Sequence, residues 1–523
     1  MEKNELSGIP DDPDDPVVTT DDPNTCALVK NTSKEIGAAH DKFEEGNNHD
    51  ILESCSSKHE KHQPDDTTIE IKQLEEILGV SLNSKTIHEP VSRCCIYKVP
   101  RDLRNIDIRA YTPQVISIGP FHHGKHWLSE MENQKSKYML EFLKREGVEK
   151  GAKKLKEFKG FIEEKEQIIR SYYQENSTLV SPEFVKMILR DAVFIIEFFL
   201  KNVERAEKSK FDFYLDTTYV RATITRDLQL LENQLPYFVL KSLFAKGAFH
   251  KFTKKDYPHR GGPFLSLSHL FFFGYFPEPD NEIRQHEIQH FTDLRRCFLL
   301  MDLLPRDQKQ GGHVRRNSTT STARDHVSAV PTATKLHWSG VKFKKGIEGR
   351  SSLGISCEYV PRAIRIPPCG ELQIPFIKEV MLQIPRIEID DRSECLYRNM
   401  MAWELCHYPY ETHICNFILL MECLINTKED VDFLVDQKII FSSLGDNAIV
   451  ATMFNNLTLQ ITPSHSVYHS LGEKLKAHYD KRWSRTMATL KTVYFVDLLT
   501  STKTVAAVVL LVLTFIQTVY SVL

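Results

Sequence analysis

The chain is poor in turn formers. Its 523 residues hold 22 glycines and 24 prolines, below the combined share of about 12% usual for globular chains, which argues against a turn-rich β architecture and favours helix. Metal-ribbon cysteine spacing is missing too. The eleven cysteines include no C-x-x-C, Cys94 and Cys95 are adjacent, and Cys395, Cys406, Cys415 and Cys423 fall on expected helices. An odd count in a long chain speaks for reduced thiols over a disulfide framework. Nor is there an excess of positive charge. With 67 Lys and Arg against 70 Asp and Glu, the formal net charge is −3, and nothing in that balance attracts nucleic acid. The opening residues MEKNELSGIPDDP carry neither a basic nor an apolar stretch of the secretory kind, so no export signal is expected. Long apolar runs are scarce, and a polytopic membrane protein is excluded because a single segment is long and uncharged enough to be a span.

The near-neutral total hides a split. Residues 1–68 hold 17 Asp and Glu against 6 Lys and Arg, a net of −11 that leaves +8 for the remainder. Asp-Asp-Pro recurs at Asp11-Asp12-Pro13, Asp14-Asp15-Pro16 and Asp21-Asp22-Pro23. With few apolar residues and no helical period, this segment cannot recover its ordering entropy by burial, and it reads as a disordered acidic tail. At the other end Thr504–Leu523 is twenty residues without a charge. As a helix rising about 1.5 Å per residue it would cover roughly 30 Å, the thickness of a hydrocarbon core. Lys474, Lys476, Lys481, Arg482, Arg485, Lys491 and Lys503 precede it. The segment therefore reads as a single-pass tail anchor in contact with the lipid bilayer, in the plasma membrane or the endoplasmic reticulum, with the body facing the cytosol.

Between these ends helical periodicity dominates. A helical pattern runs from Trp127 to about Tyr173 with a charged break near 146–154. Another begins at Ser181-Pro182, with Ser181 placed as N-cap, and carries Phe184, Ile188, Asp191, Ile195 and Phe199 on one face. A third spans about Tyr219 to Phe244, and Pro236 should kink it. The polar stretch from Pro305 to Leu336 reads as a flexible insertion, in which Arg315-Arg316-Asn317-Ser318 would suit a basophilic kinase. Short strand-like pieces follow at Val341–Lys344, Leu353–Tyr359 and Leu372–Ile389. Helical pattern resumes from Cys395 through Leu424 and continues at Val431–Phe441, Ala448–Leu457 and Val467–Trp483.

Several motifs suggest chemistry and then fall short of it. Gly119-Pro120-Phe121-His122-His123-Gly124-Lys125-His126 nearly matches the phosphate-binding G-x-x-x-x-G-K-[ST], but Pro120 removes an N–H donor and His126 replaces the hydroxyl that would hold magnesium. Its partner acidic strand would be Phe298–Asp302, where the surroundings read as helix. His286-Glu287-Ile288-Gln289-His290 is a literal H-E-x-x-H, without a third ligand at the spacing zinc proteases use. His122, His123 and His126 could share a metal, although adjacent histidines on a Gly-Pro loop more often cap or pack. Asp191, Asp227 and Glu232, with Asn233 and Gln234, fall among apolar helical positions. They are expected to form a structural polar network, because buried polar groups need partners. No catalytic residue, metal or cofactor is assigned.

Four segments carry a family resemblance: YTPQVISIGPFHHG (Tyr111–Gly124), FVKMILRDAVFIIEFF (Phe184–Phe199), RDLQLLENQLPYFVLKSLF (Arg226–Phe244), and the stretch from GVKFKKG (Gly340–Gly346) through LQIPRIEIDDRSECLYRNMMAWE (Leu382–Glu404). In this order, and closing on an apolar C-terminal helix, the chain resembles the plant domain of unknown function 247, also described as UPF0481. Arg190-Asp191-Ala192-Val193 departs from the family's Asp-Gly-Cys run while keeping the aspartate. The resemblance implies a single-anchored plant membrane protein without an established enzymatic activity. It also hints at recognition, since some members are associated with pollen–stigma self-incompatibility. The expected architecture is mainly α: a helical body with a small β element and one C-terminal transmembrane helix. Residues 1–68 form the tail, 69–503 the family domain with its insertion at about 305–336, and 504–523 the anchor. The expected function is non-catalytic interaction or signalling with a protein partner. An enzyme of nucleotide-binding or zinc-hydrolase type is the alternative.

Overall fold

A computed structural model describes residues 93–145, 147–205, 211–247, 262–275, 288–300, 330–346, 353–366, 370–461, 466–481 and 498–522, all within the unit Thr86–Leu523. The acidic tail 1–68, the start of the family domain at 69–92, most of the insertion at 305–336, and Ser318 lie outside the described residues.

The first long helices are α1 (Ser129–Lys144), α2 (Val148–Ser171) and α3 (Ser181–Glu204). Their apolar residues recur at three and four. Met131, Tyr138 and Phe142 are buried on α1, and Phe158, Ile162 and Ile169 on α2. Such spacing places one stripe of each helix against the interior. Gly147, at φ 96°, turns the chain between them, a conformation that glycine adopts without steric cost. Helix α3 is buried almost all round from Asp191 to Leu200, and both α1 and α2 pack on it. Tyr138 meets Phe194 and Phe198 at 5.1 and 5.9 Å between ring centroids. Each fully buried aromatic of this kind contributes about 1.5–3 kcal/mol. Ser181 is the first helical residue of α3 and Val180 occupies the cap position; the Ser181 hydroxyl instead donates to Glu166 Oε2 at 2.5 Å.

The expected single helix from Tyr219 to Phe244 is two: α4 (Thr218–Asp227) and α5 (Tyr237–Gly247). Pro236 ends helical pairing instead of merely bending it, and residues 228–236 run as an irregular bridge. Helices α6 (Pro263–Phe273) and α7 (Phe291–Leu300) follow, with Phe199 stacked on Phe271 at 4.2 Å. The one part of the insertion that is described, 330–336, leads into α8 (Ala333–Trp338).

The β element is small. β1 (Lys342–Lys345) lies parallel to β3 (Gly370–Ile384), which pairs antiparallel with β2 (Ser356–Ile366), in the order β1-β3-β2. β4 (Ile387–Ile389) and β5 (Ile440–Ser442) form a separate parallel pair. Around them stand α9 (Ser393–His407), α10 (His413–Leu424), α11 (Lys428–Asp436), α12 (Asn447–Leu457) and α13 (His469–Tyr479). The body is mainly helical with small sheets.

The C-terminal segment is helical, α14 (Leu498–Val522), but the expected transmembrane helix is corrected. Among the described residues no helix is long and apolar enough to cross a membrane. The uninterrupted apolar run in α14, Val505–Leu513, stops at Thr514, and Gln517 and Thr518 follow. The tail-anchor reading loses the helix on which it rested.

Candidate functional site

Residues 116–118 lie between bends at 114–115 and 119–120, and the segment belongs to no sheet among the described residues. Backbone N–H and C=O groups that are buried must find partners. Here side chains supply them. Asp227, at the end of α4, accepts through Oδ2 from the amides of Gln114 (2.9 Å), Val115 (2.7 Å) and Ile116 (3.2 Å). Its Oδ1 accepts from Arg226 Nη1 at 2.8 Å. Asn233 accepts from Ile118 N at 2.6 Å and donates to Ile116 O and Asp227 O, both at 2.9 Å. One amide side chain thus reproduces the paired bonds of a missing neighbouring strand.

The next residue along is caught from the other side. Asp191 on α3 accepts from Gly119 N at 2.9 Å through Oδ2 and from Lys135 Nζ at 2.7 Å through Oδ1. Lys135 is wholly buried. It also donates to Glu132 Oε1 at 2.6 Å and to Ser117 O. Gly119 has φ +71°, and a Cβ there would stand 2.5 Å from Gln234 O, so the position admits only glycine without strain. Gln234 donates to Leu228 O (2.8 Å) and Leu230 O (2.7 Å) and accepts from Phe291 N (2.9 Å). The irregular bridge 228–236 is thereby held by its own side chain and by Asn399 of α9, which accepts from Leu231 N at 2.9 Å. Glu232 accepts from Val99 N (2.7 Å) and Arg104 Nη2 (3.0 Å), and His122 Nε2 lies 3.3 Å from its Oε2.

Burial pushes the carboxyls of Asp191 and Asp227 above the ordinary range, against the pull of Lys135 on the first and of the Val115 amide and Arg226 on the second. Glu232 goes the other way: burial is outweighed by His122, Arg104 and the Val99 amide, which hold its carboxyl low. All five expected network residues are buried. Two centres emerge, one at the segment 114–119 through Asp227, Asn233 and Asp191, and one through Glu232.

The motif-level candidates are placed differently. In the loop from Gly119 to His126 the Gly119 amide turns inward to Asp191, His122 turns toward Glu232, and Lys125 stands over the Trp127 ring at 5.7 Å. Phe298 lies in α7, which confirms helix where the acidic strand of a nucleotide site would have been needed. His286 and Glu287 lie outside the described residues. His290 is fully buried: its Nδ1 accepts from Asp293 N at 3.3 Å, which leaves Nε2 to donate to Cys95 O at 3.1 Å. Burial lowers its pKa to about 4, so it is a neutral imidazole with both nitrogens used. Among the described residues no group of three or more His, Cys, Asp or Glu is arranged to hold a metal ion, and the described cysteines are free thiols.

The family model for a plant protein of unknown function, DUF247, matches residues 96–513. The chain belongs to the DUF247 family. Two curated relatives from Arabidopsis thaliana bear the same family description, UPF0481 protein. One is 26% identical over 415 residues, covering 75% of this chain and 79% of its own length. The other is 22% identical over 532 residues, covering 88% and 96%. No solved structure matches. In this DUF247 chain all the segments that carried the resemblance before Gly340 converge on the network, since Gly119, Asp191, Asp227 and Asn233 each come from one of them.

Lys135 and Asn399 were missed by sequence reasoning. For Lys135 a signal existed: it falls on the stripe of Met131, Tyr138 and Phe142, where a lysine needs a buried anion. Asn399 carried none, because its partner Leu231 is remote in sequence. A second buried cluster was missed likewise. Glu404 accepts from Arg296 Nε (2.9 Å) and from the amides of Ile414 (2.9 Å) and Cys415 (3.0 Å), anchoring the start of α10.

Proposed function

We propose that this DUF247 protein is a non-catalytic interaction or signalling protein of plants, working through its surface. The observation that carries the reading is the way the buried carboxylates are spent. Asp227 serves three backbone amides and a guanidinium, Asp191 an amide and an ammonium, and Glu404 two amides and a guanidinium. A general acid or base needs a free position facing a reacting proton, and these oxygens already face donors of the chain itself. Exposed aromatics favour the same reading. Phe213 and Tyr219 flank one turn and stand 53% and 76% open, and aromatic side chains are enriched where proteins dock.

Proximity labelling of the full chain in plant cells tests this. The expected result is a reproducible set of labelled proteins that is lost in Phe213→Asp/Tyr219→Asp at unchanged melting temperature. Labelling no different from that of the free biotin ligase would refute the reading.

A further inference from the structure

Three hydroxyl residues of the chain are followed by proline: Thr112, Ser181 and Thr462. A kinase that selects proline at the next position has to reach both residues of such a pair. Thr462 lies outside the described residues. Thr112 is half-buried, its hydroxyl donates to Ile108 O at 2.9 Å, and Pro113 is buried. Ser181 differs. Ser181, Pro182 and Glu183 are all exposed, as are Thr178 and Val180 ahead of them. Residues 176–178 belong to no helix or strand, so the chain approaches Ser181 as a surface loop.

The Ser181 hydroxyl is also part of a joint. It donates to Glu166 Oε2 at 2.5 Å, and Arg170, one turn further along α2, donates from Nε to Glu166 Oε1 at 2.9 Å. The same guanidinium closes the loop between α2 and α3. Its Nη1 donates to Ser177 O at 3.1 Å, its Nη2 to Leu179 O at 2.8 Å, and it lies over the Phe184 ring at 3.9 Å. A single cation thus balances a single, buried carboxylate. A phosphate on Ser181 adds about two negative charges beside that carboxylate. If it draws Arg170 to itself, the guanidinium has to turn from Glu166 and from the loop carbonyls. If Arg170 stays, like charges drive the phosphate outward. In both cases Glu166 loses the hydroxyl it accepts from. The field of the α3 N-terminus favours an anion, but its half-charge is the smaller effect beside a full negative charge at contact distance.

We propose that Ser181 is a phosphorylation site for a proline-directed protein kinase, and that the phosphate releases the joint between α2 and α3. The γ-phosphoryl group of a nucleoside triphosphate passes to Ser181 Oγ. The Oγ–P bond forms, the bond to the β-phosphate oxygen breaks, the hydroxyl proton goes to solvent and the nucleoside diphosphate leaves. The inference stands apart from the interaction reading, since it needs no docked partner. Incubating the full chain with a mitogen-activated protein kinase and magnesium ATP tests it, read by peptide mass spectrometry and hydrogen exchange. Phosphate is expected on Ser181 and not on Thr112, and Ser181→Ala should lose it. In the phosphorylated chain the Leu179 amide, bonded to Ser177 Oγ at 3.3 Å, should exchange about tenfold faster or more, the loss of a charge-assisted bond felt as local opening. Glu166→Gln keeps the shape and removes the charge, so phosphorylation should speed exchange several-fold less in that variant. If Glu166→Gln fails to fold, phosphatase treatment of the modified wild-type chain replaces it, and slow exchange is expected to return. No phosphate at Ser181, unchanged exchange at Leu179 after full modification, an equal effect in Glu166→Gln, or fast exchange that persists after phosphatase would each overturn the proposal.

Discussion

Replacing Asp227 by asparagine keeps the shape of the side chain and removes one acceptor. The remaining oxygen can serve either the three amides of Gln114, Val115 and Ile116 or Arg226, but not both. If it stays with the amides, the new NH2 group points at the Arg226 guanidinium, donor against donor. If it turns to Arg226, three amides face two N–H bonds. Losing one partner of a buried charged pair costs about 3–5 kcal/mol. Asp227 already bears a desolvation cost that raises its pKa, and asparagine escapes that cost. The net destabilisation should therefore sit near the lower end, about 3 kcal/mol. Urea unfolding of the full chain measures it as a lower midpoint at unchanged slope. Hydrogen exchange localises it: the Val115 and Ile116 amides should exchange about a hundredfold faster through local opening. A midpoint displaced by less than about 0.5 kcal/mol, the scale of an ordinary surface change, with exchange at Val115 unaltered, would refute the claim that Asp227 stands in for a missing strand.

Gly119→Ala should cost about 2–3 kcal/mol, because the residue would adopt a left-handed conformation with its Cβ 2.5 Å from Gln234 O; an unchanged melting temperature would contradict this. Lys135→Met alone should cost about 3–5 kcal/mol by leaving Asp191 without its cation. The double variant with Asp191→Leu should cost less than the sum of the singles by more than about 1 kcal/mol, and additive behaviour in denaturant would dissolve the pair. His290, held neutral down to about pH 4 by burial, gives a pH window with a definite sign. Below about pH 6.5 the unfolded chain takes up a proton that the folded imidazole refuses, so stability present above that pH falls by about 3 kcal/mol on the way to pH 4. In His290→Gln that part of the acid-unfolding slope should disappear, and a slope identical to wild type would assign the acid lability to other groups.

Helix periodicity was legible in Phe184, Ile188, Ile195 and Phe199 of α3, whereas burial of that helix almost all round from Asp191 to Leu200 was not. Pro236 announced a disturbance but not its size. A proline frees one carbonyl, whereas the bridge 228–236 abandons helical pairing because Asn233, Gln234 and the distant Asn399 take over its backbone groups. Only a folded chain brings Asn399 to Leu231. The reading of the C-terminus failed for a related reason. Thr504–Leu523 carries no charge, yet the hydroxyl and amide groups of Thr514, Gln517 and Thr518 interrupt its apolar character. Of the two histidines of H-E-x-x-H only His290 is among the described residues, and spacing could not foresee that the amide of Asp293 and the carbonyl of Cys95 fix its tautomer.

A strand held by carboxylates and amides has a different logic from a strand in a sheet. A ladder leaves an edge open to further pairing, whereas Asp227 and Asn233 satisfy the extended segment from a helix end and a bridge and offer no edge beyond it. The cost is rigidity of choice. Each acceptor is matched to named donors, so a change of charge at Asp191, Asp227 or Asn233 is felt as lost stability before it could be felt as altered function. Freedom to diversify is then left to side chains outside that accounting. Phe213 and Tyr219 are such side chains, open to solvent.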